Sequence, residues 1–488
     1  MTFRGLFVGI DRYASPDISW LSCARRDAVA LRALFGDALG GEAKLLVDQE
    51  ATYSAIQEQL AQLATSDEDD VVVVAFSGHG TETHQLVTYD TDVYDLASTS
   101  ISLDTLTELI SRILARRLIC FLDCCFSGGM GAKVLKVETV ARNLNSAESA
   151  IAQLSGEGRI ILTASSPTEP AYENTRFGHG LLTYYLLEAL QGAEEVQQSG
   201  KLAVYRLLEY VTQRVMDAAA GLGKPQHPTL RGQINGELIW PVFKPGARYR
   251  AAFPERAHPE VTPDIQSLEA YGFPPALLQA WAGAIPSLNS LQLAALNEFK
   301  LLEGEHLVVS APTSSGKTMV GELAALRGVL ERKRALFLLP LKALVSDKLR
   351  SFNEIYGSFG IITIAATGET DDITPLLRGQ YDLCLLTYEK FAAVVLANPH
   401  VLEQVGTVVV DEVQMIADES RGINLEFILI LLRMRQRQGI EPQAIALSAV
   451  IGDTNGLERW LGARLLRRNQ RGSVAKNIWS CKVKVWGC

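Results

Sequence analysis

Cysteine is scarce in this chain: seven residues, at positions 23, 120, 124, 125, 384, 481 and 488 of 488. Such scattered spacing makes no disulfide framework, and an adjacent pair inside a glycine-rich stretch fits a reducing compartment. Long apolar runs are missing too. Nowhere do about eighteen apolar residues follow one another, which argues against a membrane-spanning helix. The opening MTFRGLFVGIDRY enters a strand pattern directly, without the anatomy of a secretory leader, so a soluble, cytoplasmic protein with no membrane partner is expected. Positive charge is short: 46 Lys and Arg stand against 55 Asp and Glu, a net charge of -9. A nucleic-acid groove would have to be a local basic patch, because the field of the whole chain gives it no help. There is no repeat array and no long low-complexity tract.

Hydrophobic residues make up 48% and charged residues 21%, a globular balance, and 488 residues predict two or three domains. Up to about residue 240, short β-branched runs alternate with helical patterns. Strands are expected at Leu6–Ile10, Val71–Phe76, Leu118–Leu122 and Ile160–Ala164. Helices are expected at Ala24–Phe35, Tyr53–Leu63, Ser102–Leu114, Gly180–Leu190 and Leu202–Ala218. This alternation implies a mostly parallel sheet covered on both faces. Residues 241–264 carry five prolines that break any long helix or central strand, and they read as a linker. A second alternating unit starts near Ile265, with strands expected at His306–Ser310, Ala335–Leu339, Ile361–Ala365, Leu383–Thr387, Thr407–Val410 and Ala444–Leu447. The stretch Ser473–Cys488 has no periodicity.

In open α/β sheets reactive groups collect at the carboxyl ends of strands. Two such ends stand out. VVVVAF runs into Ser77-Gly78-His79-Gly80, and LICFL runs into Asp123-Cys124-Cys125-Phe126-Ser127-Gly128-Gly129. The flanking glycines allow sharp turns and close approach of a substrate. A thiol attacks a carbonyl as thiolate and needs an imidazole to take its proton. Backbone N–H groups after the thiol can stabilise the oxyanion. Taken singly, Cys125 reads as a core cysteine and His79 as structural. Together, each beside glycine at a strand end, they favour chemistry. His179, in FGHGLLTYY, reads as a helix start.

FSGHG and DCCFSGG resemble the His and Cys motifs of caspase-like peptidases, in the metacaspase and bacterial caspase-homologue branch. The histidine also lies roughly fifty residues before the cysteine, as in caspases. The resemblance covers about residues 3–240. It implies that Cys125 is the nucleophile, His79 the base and Cys124 structural. It also implies an acidic pocket of Asp27, Ser77 and Asp123 for the residue before the cleaved bond, whose carboxylates would favour Arg or Lys. Phe126 replaces a second histidine frequent in that branch. Some relatives hold calcium; here Asp90, Asp92 and Asp95 lack an EF-hand pattern and read as a solvated loop rather than a Ca2+ site.

In the second unit a strand leads into Ala311-Pro312-Thr313-Ser314-Ser315-Gly316-Lys317-Thr318 and then a helical pattern. Backbone N–H groups of such a loop cradle phosphates, Lys317 reaches the β/γ-phosphates and Thr318 holds Mg2+. Downstream, TVVV ends in Asp411-Glu412-Val413-Gln414, where Asp411 can serve the metal and Glu412 can polarise water. The stretch 268–468 resembles Ski-two-like DExH-box helicases of superfamily 2, through VVSAPTSSGKTMVGELA, LPLKALVSDK, LLTYEKF, VVVDEVQMIADESRG and IALSAVIGD. The resemblance assigns ATP contacts to Gln292, Ser314, Ser315, Gly316, Lys317, Thr318, Asp411 and Glu412. It assigns nucleic-acid backbone contacts to Lys342, Thr367, Gly368, Thr387 and Glu389. Gln414 replaces the usual His, and Val450 the usual Thr. About 40 residues follow Val450, against the 100 or so that a second RecA-like domain needs, so an incomplete helicase is expected.

The fold expected is α/β throughout: a caspase-like three-layer α/β/α sandwich over 1–240, a linker over 241–264, a RecA-like P-loop domain over 265–470 and an atypical tail over 471–488. The function expected is a cysteine endopeptidase cleaving after Arg or Lys, coupled to an ATP- and Mg2+-binding module that responds to single- or double-stranded nucleic acid, in bacterial stress or antiviral defence. The rival reading is a nucleic-acid-binding ATPase carrying a non-catalytic caspase-like interaction domain. Nothing in the sequence sets the oligomeric state.

Overall fold

The computed structural model describes residues 2–124, 134–135, 158–166, 169–174, 177–233, 238–253, 258–283, 285, 287–368, 372–418, 422–437, 440–449, 454, 456–468 and 474–475. The first unit is built on a six-stranded sheet. Its strands are β1 (Phe3–Gly9), β2 (Glu42–Val47), β3 (Val71–Ser77), β4 (Arg117–Asp123), β5 (Arg159–Thr163) and β6 (Thr229–Gln233), in the order β6-β5-β4-β3-β1-β2. All neighbours are parallel except β6, which runs antiparallel to β5.

The apolar run of β3 shows why this sheet has two covered faces. Val71, Val73 and Ala75 point into one core, which also holds residues of helices α1 (Ala24–Leu39), α4 (Leu181–Leu190) and α5 (Val204–Gly221). Val72, Val74 and Phe76 point into the other, with residues of α2 (Tyr53–Leu63) and α3 (Leu103–Ser111). Side chains alternate across a strand, so a continuous apolar run needs an apolar layer on each side. The result is the α/β/α sandwich expected.

The second unit repeats the logic with an eight-stranded sheet. Its strands are β7 (Leu307–Ser310), β8 (Arg334–Leu339), β9 (Thr363–Ala366), β10 (Leu383–Thr387), β11 (Val405–Val410), β12 (Gln443–Ser448), β13 (Arg464–Arg468) and β14 (Val474–Ala475), in the order β9-β10-β8-β11-β12-β7-β13-β14. Ala335, Phe337 and Leu339 of β8 enter one core with α6 (Lys317–Leu330) and α7 (Lys342–Tyr356). Leu336 and Leu338 enter the other with α8 (Tyr388–Ala397) and α9 (Gly422–Arg437). Among the described residues, no helix is long and apolar enough to cross a membrane.

Four of the numbered strands carry no sequence signal: β2, β6, β13 and the two-residue β14. β2 is an edge strand, half exposed, and RLLRR of β13 alternates weakly around one buried Leu466. β6 contains Gly232 at φ 108°, a conformation that favours glycine. The proline-rich segment read as a linker is partly folded onto the first unit. Ala247–Ala252 form a short helix, and Asp37 accepts hydrogen bonds from the N–H groups of Gly246, Arg248 and Tyr249 at 2.8–3.0 Å. Phe243, Tyr249 and Phe253 are buried in the same core as Phe35 and Trp240. The prolines exclude a long helix, but this short one lies between them.

Candidate functional site

Strand register builds the first site. Ser77 is the last residue of β3 and pairs with Gly9 of β1 on one side and Asp123 of β4 on the other. Three strand ends therefore lie level at one edge of the sheet. Gly9 lets α1 press on β1, since a Cβ there would stand 2.3 Å from the Ala24 carbonyl oxygen. That approach brings Asp27, in the first turn of α1, to the strand ends.

Asp27 is fully buried. Its carboxylate accepts from Ser77 Oγ at 3.0 Å, from His179 Nδ1 at 2.8 Å and from the Gly180 N–H at 3.3 Å. Asp123, also buried, accepts from Thr183 Oγ1 at 2.9 Å. The structure thus joins Asp27 to Ser77 directly and sets Asp123 one strand position away. It also brings in His179 and Thr183, which the sequence reading left out. His179 lies immediately before α4, in a two-residue bridge with Glu173-Asn174. One signal was present: Gly-His-Gly occurs at 78–80 and again at 178–180.

His79 is buried and has a defined orientation. Its Nε2 lies 2.8 Å from the carbonyl oxygen of Ser19. A carbonyl only accepts, so Nε2 carries a proton, and in the neutral ring the lone pair is then on Nδ1. The His79 N–H donates to Tyr13 Oη at 2.9 Å, and the Tyr13 ring lies 5.3 Å from the imidazole. The Ser19 carbonyl and Tyr13 thus set the orientation of the ring. The Ser19 carbonyl has no side-chain signature in sequence. Cys124 is buried in the core between the sheet and α2/α3. Cys125 lies outside the described residues, directly after Cys124. Of the carboxylates weighed for calcium, Asp90 accepts from the Tyr53 N–H and Thr88 Oγ1 at 2.8 Å, and Asp92 from the Tyr94 N–H at 2.9 Å. They serve as turn acceptors.

The second site sits at the carboxyl edge of the second sheet. β7 ends at Ser310, in register with Ser448 of β12, and Val410 of β11 leads into Asp411. The loop 311–316 turns into α6 through Gly316, at φ 82°. A Cβ on Gly316 would lie 2.7 Å from Gln292 Nε2 and 2.8 Å from Asn289 Nδ2. Asn289 Nδ2 donates to the Ser315 carbonyl at 3.1 Å and Gln292 Nε2 to the Gly316 carbonyl at 3.4 Å, so both amides clamp the loop from outside. Ser314 is held at φ 64°, and Lys317 is buried at the start of the helix. Burial pushes the Asp411 carboxyl up; Lys348 pulls it back, Glu412 raises it again, and Lys317 is the last of the cations lowering it. A glycine-dependent loop at a helix N-terminus, a buried lysine and a carboxylate between two cations fit a magnesium–nucleotide phosphate group.

Gln414 ties the acidic turn to the end of β12. Its Nε2 donates to Glu412, and its Oε1 accepts from Ser448 Oγ at 3.0 Å and the Ala449 N–H at 3.1 Å. Glu412 adopts φ 58°, a left-handed strain at the centre of the site. Thr387 caps α8, and Lys390 Nζ reaches the Gly368 carbonyl at 2.6 Å, joining two of the segments assigned to nucleic-acid contact. Lys342 and Glu389 are exposed at the first turns of α7 and α8. Val450 lies outside the described residues.

Comparison with known proteins finds a family match over each of the two units. A caspase domain family model matches residues 4–238, and a DEAD/DEAH box helicase model matches residues 289–456. The chain is 39% identical over 172 residues to the ATP-dependent DNA helicase Hel308 of Caldivirga maquilingensis, covering 35% of this chain and 22% of that one. It is 37% identical over 172 residues to the Hel308 of Pyrococcus abyssi, covering 35% and 23%. The chain therefore spans less than a quarter of the length of these relatives. Among solved structures, caspase-1 from Spodoptera frugiperda aligns at 16% identity and a TM-score of 0.36, over 48% of this chain and 88% of that one.

Proposed function

We propose that this chain, in which a caspase domain precedes a DEAD/DEAH box helicase domain, is a cysteine endopeptidase whose activity answers to an ATP- and nucleic-acid-binding module. The observation that carries the peptidase reading is the 2.8 Å bond between His79 Nε2 and the Ser19 carbonyl, which commits the opposite nitrogen to proton acceptance. In this reading His79 Nδ1 takes the proton of the Cys125 thiol. The sulfur attacks the peptide carbonyl carbon, and the tetrahedral oxyanion collapses as the imidazolium returns its proton to the leaving amine. Water then hydrolyses the thioester.

Specificity for Arg or Lys before the cleaved bond follows from the carboxylates of Asp27 and Asp123 at one edge, with Ser77 beside them. Asp27 already accepts from three groups, so an entering cation displaces one of them, and His179 is the one that carries a competing ring. In the second unit Ser314, Ser315, Gly316 and Lys317 would hold the phosphates, Gln292 the base, and Thr318 and Asp411 the Mg2+, with Glu412 on the attacking water. Bound Mg2+ would supply charge neutralisation at the phosphates. Lys342, Thr367, Gly368, Thr387 and Glu389 would face the backbone of single- or double-stranded nucleic acid. Bacterial stress or antiviral defence is the setting such a pairing suits.

A fluorogenic Arg-peptide assay tests the peptidase half. Turnover by the 488-residue chain that vanishes in Cys125→Ala and His79→Ala supports it. Equal signal in chain and variants leaves the caspase domain as an interaction platform. ATPase rates with and without single-stranded DNA or RNA, with Lys317→Ala as control, test the second half.

A further inference from the structure

The loop between β1 and α1, residues 10–23, carries two groups that orient His79: the Tyr13 hydroxyl and the Ser19 carbonyl. It has no regular secondary structure of its own beyond turns. Part of it is fixed from the first unit, where the Leu21 N–H donates to the Asp11 carbonyl and Glu173 accepts from the N–H groups of Ser22 and Cys23. The rest is fixed by the helicase domain. Gln380 Nε2 donates to the carbonyls of Pro16 and Ile18 at 2.5 and 3.1 Å. Arg378 donates to the Pro16 carbonyl at 2.7 Å and to Asp17 at 3.0 Å, while its own carbonyl accepts from the Trp20 N–H at 3.1 Å. Gln404 Nε2 donates to the Trp20 carbonyl at 3.0 Å. Arg334 donates to the Leu21 carbonyl at 2.8 Å and to Ser22 Oγ. The carbonyls of Ile18, Trp20 and Leu21 thus turn to the second unit, while that of Ser19, between them, turns to His79.

Arg334 is the centre of this clamp. It is the first residue of β8 and is 2% exposed. The same guanidinium also donates to the carbonyls of Gly379 at 3.0 Å and Arg332 at 3.1 Å, so its direction is set within the helicase domain before it reaches the loop. Arg12, stacked 4.1 Å over the Trp20 ring, is bound to the buried carboxylate of Asp382 and holds the loop from its other end. β8 also supports the nucleotide site: the Leu338 carbonyl accepts from the Asp411 N–H at 3.0 Å. One six-residue strand therefore touches the peptidase loop at its start and the acidic turn at its end.

We propose that Arg334 of the helicase domain is a positioning residue for the peptidase, holding the Leu21 carbonyl and the Ser22 hydroxyl so that the Ser19 carbonyl aims His79. The proposal rests on the peptidase reading of His79 and Cys125. Loss of the clamp frees the imidazole to rotate and removes a hydrogen bond that favours its protonated form, which lowers the apparent pKa of the base.

The test uses the full chain, the fluorogenic Arg peptide, and rates per active site titrated with a thiol-directed peptide inhibitor. Arg334→Ala is expected to lower kcat about tenfold or more at nearly unchanged KM, and to shift the acid limb of the kcat/KM profile to lower pH. Arg334→Lys, which retains a donor toward the Leu21 carbonyl, should recover part of kcat. Should Arg334→Ala unfold, Gln404→Ala removes the bond to the Trp20 carbonyl alone and is expected to lower kcat severalfold in the same direction. Unchanged kcat and pH profile per titrated site in the folded variants overturns the inference and leaves the peptidase reading standing. Wild-type turnover no higher than that of Cys125→Ala overturns both.

Discussion

Removing the Asp27 carboxylate should unfold the first unit before it alters any specificity. The side chain is fully buried and is the common acceptor for Ser77 Oγ, His179 Nδ1 and the Gly180 N–H. These donors sit on two separate segments: the end of β3 and the His179-Gly180 bridge that leads into α4. Each buried donor deprived of its acceptor costs about 1–3 kcal/mol. Asp27→Ala strands three of them and should therefore destabilise by roughly 3–5 kcal/mol, a large share of a domain's net stability. Asp27→Asn keeps one acceptor oxygen and should cost about 1–2 kcal/mol. In a cycle with His179→Ala the two losses should fall short of additivity by about 1–3 kcal/mol, because removing either partner already forfeits the shared bond. Calorimetry and urea titration of the four chains measure this. A single-mutant loss below about 0.5 kcal/mol, or strict additivity, would refute the buried pair as the organiser of the site.

Other outcomes follow from the same geometry. Cys125→Ala and His79→Ala should abolish peptide cleavage while Cys124→Ala, a core truncation away from the base, retains most of it; full loss in a folded Cys124→Ala would reassign the nucleophile. Gly316→Ala should weaken Mg-ATP binding about tenfold or more, since a Cβ at φ 82° is strained and meets the Gln292 and Asn289 amides, and titration calorimetry reads this directly. Asp11 is pushed up to about 7 by burial and by Asp48 and Glu173, against the pull of Arg332 and Arg334. Its folded form keeps a proton that the unfolded chain loses near pH 4. Stability should therefore fall as pH rises from about 4 to 7 and level off above, by up to a few kcal/mol. Asp11→Asn, which preserves the acceptor for the Ala24 N–H, should flatten that slope and raise stability at pH 8. A thermal-melt pH series with an unchanged slope would contradict it.

Local sequence was enough for the layered architecture and for the two motif pairs. VVVVAF cannot sit at a surface, because each of its faces needs an apolar cover, so a buried parallel strand follows from the run itself. Glycine beside His79 and before Lys317 marks the two strand ends, since only such turns admit close approach. What the sequence could not carry is anything held by backbone or by distant partners. The Ser19 carbonyl has no residue-type signature, and its aim depends on a loop pinned by Arg334, Arg378, Gln380 and Gln404, more than 300 residues away. The pairing of Asp27 with His179 joins residues 152 apart and appears only once β3, α1 and α4 meet. Gln414 reads as a lost histidine in one dimension and as a bridge between the acidic turn and β12 in three. Periodicity and turn chemistry act over a few residues, so they settle which strands form and where they end. Which side chains then face one another is settled by packing, because burial leaves each polar group only the partners that the fold brings within hydrogen-bond reach.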